Sequence, residues 1–166
     1  MTWLVIEWFY AKRPKFVGLL TGTVAGLATV TPAAGYVSVG SAAIMGVLAS
    51  IACYYAVLLK NRMGWDDALD VWGVHGVGGF LGITLLGVFG ATAWNAAGSN
   101  GLLYGNPSFF GKQVTAAILC SLYAFAFTYV ALWLINFVTA VRVGQESEEL
   151  GLDTALHGEE AYPLGV

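Results

Sequence analysis

One residue stands out for the chemistry it could do. His75 lies in a stretch, from Asp70 to Lys112, with no other Asp, Glu, Lys or Arg. An ionisable side chain among apolar neighbours is costly, and in a membrane span it points by default to a substrate or proton pathway. A neutral imidazole donates one hydrogen bond and accepts another, so it can pass a small polar molecule along or glue two helices together. Haem ligation is a third option, but the only other histidine, His157, stands far away near the C-terminus. The aspartates Asp66, Asp67 and Asp70 precede His75. Acidic groups at a helix start accept free N–H groups and complement the dipole; capping is the default expectation for Asp66, and Asp67 could in addition support a pathway electrostatically. Cys53 and Cys120 both sit in apolar runs and read as small hydrophobes, with no Cys/His spacing that suggests a metal.

The elements that must position His75 follow from charge. Of 166 residues, 58% are hydrophobic and 10% charged, against roughly 25% charged in soluble domains. So few charges cannot coat a water-exposed globule. Disorder is excluded by the same figures, and nucleic-acid binding by seven Lys+Arg against ten Asp+Glu, a net charge of −3. The chain reads as an all-α integral membrane protein.

Charged residues are absent between Lys15 and Lys60, between Asp70 and Lys112, and between Lys112 and Arg142. A crossing needs about 20 apolar residues. Thr31-Pro32-Ala33-Ala34-Gly35 interrupts the first desert, because Pro32 cannot donate to a helix ladder. Asn95–Gly111, rich in Asn, Gly, Pro and Ser, interrupts the second as a loop. The spacing predicts four membrane helices at 16–33, 39–60, 67–92 and 112–141, a partial fifth at 2–11, and a tail over 142–166. Placing Lys12, Arg13, Lys15, Lys60, Arg62 and Arg142 inside leaves only Lys112 outside, so the acidic tail is expected to be cytoplasmic.

From Asp67, His75 is eight residues along, about 12 Å into a helix at 1.5 Å per residue. On a helical wheel, Asp67, Val71, His75, Gly78 and Gly82 share an arc of roughly 80°. Gly18, Gly22 and Gly26 form a second small-residue stripe, the ordinary mark of close helix packing.

The run Asp66-Asp67-Ala68-Leu69-Asp70-Val71-Trp72-Gly73-Val74-His75-Gly76-Val77-Gly78-Gly79 resembles the tenth transmembrane helix of the ammonium transporter (Amt/Mep/Rh) family. Gly22-Thr23-Val24-Ala25-Gly26-Leu27, followed by Thr31-Pro32-Ala33-Ala34-Gly35-Tyr36-Val37, resembles that family's eighth helix and its exit. Gly151-Leu152-Asp153, with His157-Gly158-Glu159-Glu160-Ala161-Tyr162, resembles the C-terminal region of the bacterial members. The three motifs stand in family order and cover nearly the whole chain.

The resemblance implies the end of helix seven and helices eight to eleven of an eleven-helix protomer in a homotrimer, each protomer with its own pore. It implies ammonium or ammonia as substrate, no cofactor, no enzyme activity and a cell (inner or plasma) membrane location. His75 matches one of two contacting pore histidines, Val71 an apolar pore-lining position, and Asp67 and Thr31 supporting positions. Asp153, His157, Gly158, Glu159 and Tyr162 match a regulatory tail on which PII-type signalling proteins dock in many prokaryotes; an acidic solvated tail is the plainer alternative. The partner histidine, aromatic gate and outer cation site belong to helices that the sequence does not contain, and Trp72 stands where Phe is common. The expectation is therefore the C-terminal part of a transporter: a truncated product, a split protein or an incomplete record. A non-conducting interaction or regulatory fragment is the main alternative, and a haem-binding membrane anchor a weaker one.

Overall fold

A computed structural model describes residues 1–160. Among them there are helices and turns and no strand. The chain divides into two compact units, Met1–Cys120 and Ser121–Val166.

In the first unit, α1 (Thr2–Tyr10) runs into α2 (Phe16–Val30) through a turn in which Lys12 takes φ 55°. The Glu7 carboxylate accepts the Lys15 N–H at 3.2 Å, satisfying a donor at the start of α2. α2 tightens into a 3-10 turn, Thr31–Ala33, because Pro32 has no N–H to continue the ladder. There the Thr31 hydroxyl donates to the Leu27 carbonyl at 2.7 Å. Ser38 caps α3 (Val39–Met63), its hydroxyl accepting the Ser41 N–H at 3.0 Å.

Several bounds differ from the sequence expectation, each for a local reason. α3 continues past residue 60 to Met63 and stops at Gly64, which adopts φ 65°, the left-handed conformation that ends helices. Helix α4 covers Trp72–Phe89, not 67–92. Its start is delayed because Asp70 takes φ 56° and cannot be helical. Its end comes early because Gly90 turns to extended backbone. α5 (Pro107–Ile135) starts five residues before 112 and stops six before 141. The Asn106 carboxamide accepts the Phe109 N–H at 3.1 Å and Pro107 occupies the first helical position, so the expected loop ends in a cap. By length and composition α2 with its 3-10 turn, α3, α4 and α5 can each cross a membrane.

The core of this unit sits where α1, α2, α3 and the start of α4 meet: Trp3, Ala25, Cys53, Tyr54, Val57 and Val74. A second cluster, Ala33, Met45 and Leu85, lies nearer the 3-10 turn. Small residues let the backbones approach. A Cβ at Gly82 would collide with the Thr29 carbonyl, and one at Gly73 would come within 2.7 Å of Val57 Cγ2. The small-residue stripe on α2 is not the expected one. Gly18 and Gly22 pack on Glu7 and Trp3, but Gly26 faces open space while Ala25 and Thr29 are buried.

In the second unit, after the end of α5, a short helix α6 (Gln145–Leu150) precedes a π-turn at Asp153–His157. Arg142 grips Glu148 with two bonds of 2.8 and 3.0 Å.

Candidate functional site

His75 does not sit on a regular α-helix. Residues Trp72–Gly76 form a π-turn, closed by the Val77 N–H donating to the Trp72 carbonyl. Such a turn inserts an extra residue, and π-bulges occur frequently at functional sites. The opposite side of the turn is held by packing: Gly73 lies against Val57, and Cys53 Sγ is 3.8 Å from the Val74 carbonyl.

The inserted residue breaks the regular wheel. Gly78 and Gly82 are buried against α2, whereas Val71 and His75 are exposed. The shared arc expected for Asp67, Val71, His75, Gly78 and Gly82 is thus split into a packing face and an open face.

On the open face, His75 lines a groove of about 390 Å³ together with Val24, Leu27, Ala28 and Thr31. Four of these five residues come from α2 and its terminal turn, at i, i+3, i+4 and i+7. The structure therefore brings together two residues singled out from the sequence, His75 and Thr31. It adds three that the sequence reading missed. They form the stripe of α2 beside the face buried at Gly18, Gly22, Ala25 and Thr29, and in the sequence alone that stripe reads as lipid-facing. Val71 is 49% exposed but does not line this groove.

The groove is apolar except for an imidazole and a hydroxyl. Among the described residues the His75 ring makes no hydrogen bond, so both nitrogens are available. The Thr31 hydroxyl spends its proton on Leu27 and keeps lone pairs to accept with.

Asp67 lies outside the helix and caps it. Its carboxylate accepts the Val71 N–H and the Trp72 N–H, both at 2.9 Å. The left-handed Asp70 folds the chain back and brings the Asp67 carboxylate over the first free donors.

In the tail, Asp153, His157, Gly158 and Glu159 are exposed. The Asp153 carboxylate accepts the Thr154 N–H at 3.0 Å, and Gly158 takes φ 67° to close the turn. The Arg142 guanidinium hydrogen-bonded to Glu148 holds that carboxyl below its ordinary range. Tyr162 lies outside the described residues. Among the described residues no group of three or more His, Cys, Asp or Glu side chains is arranged to hold a metal ion.

The family model described as Ammonium Transporter Family matches residues 1–162. The chain is 39% identical over 161 residues to an ammonium transporter of Bacillus subtilis, covering 96% of this chain and 40% of the relative. It is 44% identical over 165 residues to an ammonium transporter of Aquifex aeolicus, covering 99% and 38% respectively. The crystal structure of Saccharomyces cerevisiae Mep2 is similar with a TM-score of 0.84 at 34% identity, over 93% of this chain and 36% of that one. For Candida albicans Mep2 the TM-score is 0.81 at 32% identity, over 88% and 34%. The chain thus spans about two fifths of the length of the curated relatives it matches.

Proposed function

The chain belongs to the ammonium transporter family, and on that premise we propose that it supplies the His75-bearing side of an ammonia-conducting pore. The observation that carries the reading is the groove: an apolar trough from α2 with one imidazole opposite it. Moving ammonium as an ion through such a surface costs many kcal/mol of desolvation, whereas neutral ammonia passes. His75 can accept from ammonia or donate to it, and Thr31 can accept from it. A second histidine in contact with His75 would let the pair relay the proton left behind.

This reading places the chain in a multi-pass membrane protein as part of an eleven-helix protomer, within a homotrimer in the cell membrane, its tail cytoplasmic. Val71, exposed one turn before His75, would continue the pore lining, and Asp67 supports it by holding the helix start. The exposed turn at Asp153–Glu159 suits a regulatory surface for a PII-type protein.

A second reading is favoured by one observation: in this chain alone the groove is open along one side and His75 is exposed. Alone, the chain is then a non-conducting interaction or regulatory partner. Co-expression with the N-terminal remainder of the Bacillus subtilis transporter, in cells lacking ammonium uptake of their own, separates the two. Labelled methylammonium should enter cells holding both pieces and not cells holding either one. Absence of uptake from a covalently joined, membrane-inserted pair would reject the pore.

A further inference from the structure

Lys60 is an unusual lysine. At the end of a membrane helix this side chain ordinarily reaches outward to water, yet Lys60 is 5% exposed. A buried ammonium is tolerable only when paired. Its Nζ donates to the Asp67 carbonyl at 2.6 Å and to the Asp70 carboxylate at 2.7 Å. Both are short, charge-assisted bonds.

The two acceptors are the two ends of the 67–70 turn. Asp70 holds a left-handed backbone, uncommon for a non-glycine residue though commoner for Asp and Asn than for most, and the Lys60 ammonium on its carboxylate favours that conformation. The same turn presents the Asp67 carboxylate to the Val71 and Trp72 N–H groups, and the Trp72 carbonyl closes the π-turn that contains His75. Trp65, just before the turn, also meets Trp72 edge-on at 5.0 Å between ring centroids.

We infer that Lys60 is a positioning residue for His75. By locking the 67–70 turn it fixes where α4 begins, and so retains the extra residue of the π-turn. Without the lock the turn relaxes to an ordinary α-helix. Losing one residue of register rotates His75 by about 100° against the rest of α4, away from Val24, Leu27, Ala28 and Thr31. This rests on the pore reading only for its consequence in transport.

The test uses the full chain in lipid nanodiscs with ¹⁵N-labelled histidine; two sets of ring signals arise, from His75 and His157. Lys60→Met keeps the alkyl stem, and Asp70→Asn keeps the shape and the tolerance of a left-handed backbone. Both should move the His75 ring signals and raise amide exchange over 71–77 at least tenfold, while His157 and the middle of α3 stay unchanged. Lys60→Arg should restore the native signals. Unmoved His75 signals, or exchange rising equally in every helix, would overturn the inference; if Lys60→Met does not fold, Asp70→Asn decides. In the joined transporter, Lys60→Met should lower the maximal methylammonium uptake. A displaced His75 with undiminished uptake would leave the lock standing and reject the pore.

Discussion

The contact between α4 and α2 makes a quantitative prediction at Gly82. A Cβ there would overlap the Thr29 carbonyl and stand 3.0 Å from Pro32 Cγ. The obstacle is backbone, with no rotamer to swing aside, so Gly82→Ala must push α4 off α2 by about 1 Å, enough to forfeit a quarter to a half of each dispersion contact. Overpacking of this kind costs about 3 kcal/mol at the upper end of its usual range. Replacing glycine by alanine inside a helix returns about 1 kcal/mol, leaving a net loss of about 2 kcal/mol. Gly79 is the matched control on the same helix: a Cβ there meets nothing within 4 Å, so Gly79→Ala should gain about 0.5–1 kcal/mol. Unfolding by SDS in mixed micelles, followed by far-UV circular dichroism, measures both. Equal stability of the two variants would refute the packing argument.

Asp67→Ala removes the acceptor for two N–H groups and should cost about 1–2 kcal/mol, with faster exchange at Val71 and Trp72; unchanged exchange there would contradict the cap. In the tail, Glu148 carries its proton more weakly than its ordinary 4.5 because of Arg142. A carboxyl depressed in the folded state contributes stability above the unfolded value, and loses it as pH falls through the folded one. Its ¹³C titration should therefore have a midpoint below 4.5, and Arg142→Gln should raise it; identical midpoints would dismiss the pair.

Much of the membrane architecture is legible from charge alone, since a bilayer tolerates so few ionised groups. The three deserts and the break at Pro32 mark the stretches in which α2, α3, α4 and α5 lie. His75 and Thr31 could be singled out before any coordinates, and they share a groove. What escaped is tertiary in origin. No local pattern marks a π-turn: Gly73 and Gly76 permit it, and its neighbours, Val57 against Gly73 and the Asp67 carboxylate on the Val71 and Trp72 N–H groups, come from packing and from the preceding turn. Lys60 reads from sequence as an orientation charge for the inner face, and its inward turn depends on acceptors seven and ten residues away. The α2 stripe Val24, Leu27, Ala28 and Thr31 is indistinguishable from lipid-facing surface until α4 is placed beside it. The start of α5 is marked in the sequence, because Asn106-Pro107 is a cap followed by a first-turn proline, although the surrounding glycines and asparagines read as loop.

On the pore reading, the His75 imidazole serves the passing substrate. Joined to the N-terminal remainder of the Bacillus subtilis transporter and reconstituted in proteoliposomes, the native chain and its His75→Ala variant can be compared by the current that a methylammonium jump evokes. At equal protein in the membrane, the native protein should give a current and the variant none. A variant current equal to the native one would contradict the pore reading.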